Sequence, residues 1–224
     1  MVTASELVAA RHSPRGEVAL LRRGQTLELR VNGVFVMDTA ETSTERALAD
    51  AALAQAPRAS SVLVGGLGLG FTTAEVLTDP RVEHVRVAEL EPAVVDWMAQ
   101  GYVPHGPQLL ADDRVEVAVA DLADVVTHTP SHTVDVALLD VDNGPGYLVH
   151  ERNATLYRES FLAQVRRVLR PGGVVVVWAA NRAAELRQAL TSVFGQAQET
   201  PLPVRLQGRE EHYWLYSAPL PEVP

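Results

Sequence analysis

The sequence predicts an α/β fold: a doubly wound, mostly parallel, seven-stranded sheet with a small β-hairpin unit ahead of it. Three observations carry this. From residue 61 onward, apolar runs at 61–65, 84–88, 115–119, 134–139 and 174–178 alternate with helical patterns at about 71–78, 92–100, 121–128 and 155–169. Strands that read as near-continuous apolar runs are buried on both faces, as in a parallel sheet covered by helices. The first run leads straight into a glycine cluster, VLVGGLGLGFTTAEV at 62–76, where a strand turns into a helix. Ahead of residue 41 the pattern is different, with polar and apolar side chains alternating around Asn32-Gly33.

Taken in order, residues 17–37 form the hairpin, because alternation around an Asn-Gly pair is a strong local turn signal. This divides the chain into an N-terminal β-hairpin unit, 1–41, and a Rossmann-like domain, 42–224. Thr42-Ser43-Thr44-Glu45 fits a capping box, opening the helix ERALADAALAQA that Pro57 ends. Pro92, directly after Glu91, suits the first position of the helix over 92–100. A last helix over 182–194 precedes two strand-like segments, about 202–207 and 211–217. The second, EHYWLYS, is aromatic-rich and is expected to close one sheet edge as an antiparallel strand. There is no internal repeat and no low-complexity linker.

Composition narrows the chemistry. All 19 basic residues are arginine, so mechanisms that need a Schiff-base or P-loop lysine are excluded. A net charge of −9 argues against a nucleic-acid surface, which needs clustered basic residues. Without cysteine there is no disulfide framework or thiolate metal site, and the seven histidines show no metal-ligand spacing. No apolar run reaches about 18 residues, so no membrane span is expected. The first residues, MVTASELVAARHSPRG, lack the continuous apolar segment of a signal peptide. A cytoplasmic protein is the resulting expectation.

In a doubly wound sheet, ligands lie beyond the carboxyl ends of the strands at the switch point. Gly65, Gly66, Gly68 and Gly70 sit there, and acids follow the next three strands: Glu89 and Glu91, then Asp121, then Asp140 and Asp142. A dinucleotide is the first candidate. Its G-x-G-x-x-G/A pattern requires a small third residue, yet that position is Phe71 counted from Gly66 and Thr73 counted from Gly68. From Gly65 the second glycine position is already Leu67. No register fits. Asp121 is also well placed to cap the helix after it, a role compatible with binding. Glu91, before Pro92, reads as a helix-terminus acid, and Trp178 as core or pocket wall.

The stretch VLVGGLGLGFTTAEVLTDPRVEHVRVAELEPAVV resembles the cofactor segment of spermidine synthases, within the S-adenosylmethionine-dependent methyltransferase fold. VDVALLDVDNGPG, with LYRESFLAQVRRVLRPGGVVVV after it, resembles the same family's catalytic strand, loop and Pro-Gly-Gly turn. The resemblance covers roughly residues 25 to 217. It implies that Gly66, Gly68 and Gly70 let the backbone approach S-adenosylmethionine or its decarboxylated form. It implies also that Glu89 accepts hydrogen bonds from the ribose hydroxyls, that Asp121 faces the adenine, and that Asp140 orients and deprotonates the attacking amine. Asp142 lies near the family's second catalytic acid. Asn143 and Tyr147, in the long loop over 141–153, are the candidate acceptor contacts.

Three departures stand out. The loop aspartate of the aminopropyltransferases is Leu69 here. Their Tyr-Gln/His-Glu stretch reads Thr44-Glu45-Arg46, where an arginine would repel a polyamine. The catalytic loop, Asp140-Val141-Asp142-Asn143-Gly144-Pro145, also differs. The function expected is therefore alkylation of a small nucleophile, an amine, with methyl transfer favoured. Aminopropyl transfer from decarboxylated S-adenosylmethionine is the alternative, and a non-catalytic nucleoside-binding dimer module is the second alternative. The hairpin is a candidate homodimer surface.

Overall fold

The computed structural model describes residues 5–206 and 209–222. Its N-terminal unit is a four-stranded antiparallel sheet, β1 (Glu6–Ser13), β2 (Gly16–Arg23), β3 (Thr26–Val31) and β4 (Val34–Asp38), paired in chain order. Asn32 and Gly33 join β3 to β4, both at positive φ, 53° and 76°, as a two-residue hairpin turn requires. The expected single hairpin over 17–37 is thus larger. A second turn at Gly24 splits its first half into β2 and β3, and β1 precedes both. The first strand went unread because ELVAARHS has no fully buried residue and shows no clean alternation.

Helix α1 (Ser43–Gln55) leads into the main sheet. There follow β5 (Ser61–Gly65), α2 (Phe71–Val76), β6 (His84–Glu89), α3 (Pro92–Ala99), α4 (Gly106–Leu110), β7 (Val115–Val119), α5 (Leu122–His128) and β8 (Val134–Leu139). A 3-10 segment (Glu151–Tyr157), α6 (Glu159–Val168), β9 (Leu169–Ala179), α7 (Ala184–Phe194), β10 (Gln198–Leu206) and β11 (Arg209–Pro219) complete the chain. The strand order is β10-β11-β9-β8-β5-β6-β7. The five strands from β9 to β7 are parallel, and β11 runs antiparallel to both its neighbours. This is the expected seven-stranded, doubly wound sheet.

Two details differ from expectation. EHYWLYS lies inside the sheet, between β9 and β10, and β10 forms the edge. Leu215, Tyr216 and Ala218 are fully enclosed, as a strand covered on both faces must be. Gln207, the last residue of the expected strand 202–207, lies outside the described residues. Helix α4 was not anticipated, since five residues are too few to display a helical period.

The chain leaves β5 for β6 on one side and β8 lies on the other, so the switch point falls between β5 and β8. Their ends are joined: the Asp140 amide donates to the Gly65 carbonyl at 2.9 Å. The N-terminal sheet is packed over this end. Val18, Leu20, Leu27, Leu29 and Val31 share one apolar cluster with Val62, Val64, Leu69 and Trp178. Arg15, in the β1–β2 turn, fastens the two units: its Nε donates to Glu91 Oε1 and its Nη2 to the Leu90 carbonyl, both at 2.7 Å. Removing Arg15 leaves the buried Glu91 carboxylate without this partner. Arg15→Met is expected to lower stability by about 1–3 kcal/mol, measured by urea denaturation.

Candidate functional site

A crevice opens at the switch point. One wall is the glycine turn, with Gly66 and Gly68 exposed to it; the opposite wall is the N-terminal sheet, through Leu29, Val31, Val36 and Met37. The ends of β6, β7, β8 and β9 supply Glu89, Asp121, Asp140 and Trp178. Glu91 and Asp142 line it too, so all five acids that follow these strands in the sequence meet in one place, and Asn143 joins them. Gly70 and Tyr147 are not part of the lining. Gly70 caps α2 at φ 85°, where an added Cβ would strike Met98 and Leu109. Tyr147 is 57% exposed.

Gly66 has the least freedom of the glycines in the turn. It has φ 91°, and a Cβ there would lie 2.0 Å from the Asp140 carbonyl oxygen. Only glycine meets both demands. This contact seats the carboxyl of Asp140 beside the turn, where it accepts from Thr72 Oγ1 at 2.7 Å. Burial raises the Asp140 carboxyl to about 6, with the Thr72 hydrogen bond opposing the shift. Charge is disfavoured where water is excluded.

Glu89 is held by the main chain of the turn. Its Oε2 accepts from the Leu67 amide at 2.9 Å and its Oε1 from the Glu91 amide at 2.7 Å. Burial nevertheless pushes its pKa up. A carboxylate has about four acceptor positions, so capacity remains for a ligand hydroxyl pair. Asp121 caps α5, its Oδ1 accepting from the Ala123 amide at 2.8 Å, while Oδ2 takes no part in the cap.

Asp142 is differently employed. Its Oδ1 accepts from the amides of Asn143 and Val149, and its Oδ2 from the His150 amide and Asn153 Nδ2. Four donors spanning residues 143–153 converge on one carboxylate, which ties down the long loop. Asn143 is also committed, since its Nδ2 donates to the Phe35 carbonyl at 3.2 Å and links that loop to β4.

Glu45 is the residue that sequence reasoning missed. The expected capping box does not form: Thr42 makes no side-chain cap, and Glu45 Oε2 accepts from Thr44 Oγ1 instead. Freed from the helix end, the buried Glu45 side chain faces the crevice. Burial first, and the neighbouring Asp140 second, raise it to about 7. The signal was present, an acid within the one helix joining the two units, but the capping reading absorbed it. Arg46, expected to repel a polyamine, points elsewhere. It pairs with Glu75 and lies 5.7 Å over the Phe71 ring, outside the crevice lining. Trp178 is the aromatic wall, its ring 4.8 Å from Tyr213 at 67°. Together these residues fit an adenosyl-sulfonium: a turn stripped of side chains, an acid for the ribose, and paired acids for a cation.

Known proteins share the sequence pattern and the fold. The family model described as the spermine/spermidine synthase domain matches residues 41–198. The polyamine aminopropyltransferase of Mycobacterium tuberculosis H37Rv is 31% identical over 181 residues, 80% of this chain and 34% of the relative. Putrescine N-methyltransferase 3 of Nicotiana tabacum is 30% identical over 125 residues, 55% of this chain and 31% of the relative. The chain thus spans about a third of the length of these curated relatives. A crystal structure of spermidine synthase with the transition-state analogue AdoDATO superposes with TM-score 0.80 at 18% identity, covering 95% of this chain and 73% of that one. Spermidine synthase from Thermotoga maritima gives 0.78 at 17%, covering 95% and 72%. With the family model matched across most of its length and the fold shared, this chain belongs to the spermine/spermidine synthase domain family.

Proposed function

We propose that this chain alkylates an amine with an adenosyl-sulfonium cofactor, and that aminopropyl transfer from decarboxylated S-adenosylmethionine is the reaction its site favours. One observation carries the choice. Among the described residues, the crevice is lined by Glu45, Glu89, Glu91, Asp121, Asp140 and Asp142, by no arginine, and by His150 alone of the basic residues. S-adenosylmethionine brings a carboxylate as well as an ammonium group into this field, where no fixed cation awaits it; the decarboxylated form keeps the ammonium group and lacks the carboxylate. An unpaired charge in a buried site is costly. The aminopropyltransferase relative supports the same choice. Methyl transfer, which the sequence alone favoured, is the second reading, supported by the Nicotiana relative and by Leu69 where aminopropyltransferases carry an acid.

The cofactor supplies a carbon bonded to a sulfonium, with a neutral thioether as leaving group. The work of the protein is to align the amine with that carbon, and such positioning is worth roughly 7–11 kcal/mol. In this reading Asp140 receives the proton of the attacking amine. General-base action of this kind contributes about 10²–10⁴-fold, most when the acid's pKa is near the working pH. Glu45 stabilises the amine before it loses its proton, and Trp178, braced by Tyr213, forms the apolar wall for its carbon chain. Asp142 and Asn143 act by fixing the loop over 141–153, and the N-terminal sheet excludes water from the opposite side.

Asp140→Asn is expected to lower kcat by about 10²–10⁴-fold while methylthioadenosine, assayed by calorimetry, still binds. Thermal-shift titration separates the two cofactors. Greater stabilisation by decarboxylated S-adenosylmethionine supports aminopropyl transfer, and greater stabilisation by S-adenosylmethionine reverses the ranking.

The paired acids also set a pH dependence. Asp140 and Glu45 are raised to about 6 and about 7, so the folded chain keeps protons that the unfolded chain loses above about pH 4. Their contribution to stability is therefore present at low pH and declines as pH rises through 6 and 7. The lowered values of Asp79 and Asp112 act below that window. Thermal melts of the ligand-free protein are expected to fall between about pH 4 and 7 and to level off above, and Glu45→Gln to flatten the fall. Activity runs the other way: kcat/KM rises across the same interval, because the amine needs both acids ionised.

A further inference from the structure

We propose that His105 is a positioning residue for the cofactor, acting by holding the glycine turn from behind through the Leu69 carbonyl. This rests on the cofactor reading above. The Leu69 side chain is buried in the main apolar cluster, so it makes no polar contact with anything in the crevice. Its peptide groups are clasped instead from opposite sides. The Leu69 amide donates to Met37 Sδ at 3.2 Å, on the crevice side. The Leu69 carbonyl accepts from His105 Nε2 at 2.8 Å, on the far side.

The residues beside Leu69 make that clasp necessary. Gly68 and Gly70 have φ 51° and 85°, and glycine visits such conformations without preferring them. Fixing one residue's backbone costs about 1–2 kcal/mol, and a turn ordered before the ligand arrives spares binding that cost. His105 is itself fixed. It immediately precedes α4, and its ring lies 5.0 Å from Phe71, tilted by 49°. It lines a separate cleft with Arg46, Phe71 and Gln108, so it touches no crevice ligand and acts only through the turn. A carbonyl partner requires a proton on Nε2, which the neutral ring in that tautomer and the imidazolium both carry.

Two variants test this. His105→Phe keeps a ring against Phe71 and removes the donor; His105→Gln restores an N–H of similar reach. Amide hydrogen exchange across residues 66–70 is measured without ligand, methylthioadenosine affinity by calorimetry, and cofactor KM and kcat by turnover. His105→Phe is expected to speed exchange in the turn and to weaken the nucleoside about tenfold, the effect of one hydrogen bond. It is also expected to raise cofactor KM with little change in kcat, the pattern of lost ground-state positioning, and His105→Gln to recover both exchange and affinity. Wild-type exchange in His105→Phe, or a Gln variant as impaired as the Phe variant, overturns the proposal. If the wild-type chain binds no adenosyl ligand, the cofactor reading fails instead, and the exchange comparison alone decides the clasp.

Discussion

The approach of the first glycine turn to the end of β8 is the constraint on which the site depends. Gly66 sits so close to the Asp140 carbonyl that no side chain fits between them, and the Asp140 amide is bonded to Gly65. Two neighbouring parallel strands thus end in register at the switch point. One carries a turn open to a ligand; the other carries an acid beside it. Anything lying along the turn is brought next to Asp140 by the sheet itself. Thr72, at the start of α2, completes the link through the carboxyl.

Around that contact the fold gathers negative charge at some expense to its own stability. Glu45 and Glu89 are buried, Asp140 is half-buried, and all three are pushed above ordinary carboxylate values. Titratable groups perturbed by burial cluster at functional sites, and a cationic ligand would relieve the arrangement. Where acids are merely structural, the chain treats them differently. Asp135 is buried with Arg170 and Ser61 as partners, and Glu91 has Arg15. Among the described residues, the side-chain hydrogen-bond partners of Asp140 and Glu45 are threonine hydroxyls, and no arginine pairs with either. The contrast supports the proposal that this pair meets a charge brought from outside.

Much of this was legible in the sequence. Apolar runs as continuous as VVVVW can be buried on both faces only in a covered sheet, and positive φ at Asn32-Gly33 was implied by residue type. Glu89, Asp121 and Asp140 were found because strand ends in a doubly wound sheet converge. What stayed hidden depends on packing between distant segments. Glu45 was masked by a capping pattern that the helix does not use. The second turn at Gly24 was masked because Arg22-Arg23-Gly24-Gln25 adds no apolar residue to break the alternation around it. The placement of β11 inside the sheet depends on pairing with β9, for which EHYWLYS holds no local signal. Asp142 was legible as a buried loop acid only once its donors, contributed by residues 143–153, were in place.

The N-terminal sheet belongs to this account as more than an appendage, because Leu29, Val31, Val36 and Met37 form a wall of the crevice and Asn143 reaches back to Phe35. A crystal structure of the chain with methylthioadenosine tests the central claim most directly. The nucleoside is expected across Gly66 and Gly68, its ribose hydroxyls bonded to Glu89 and its sulfur end toward Asp140. A nucleoside bound outside the crevice, or seated with its sulfur end turned away from Asp140, would contradict the account.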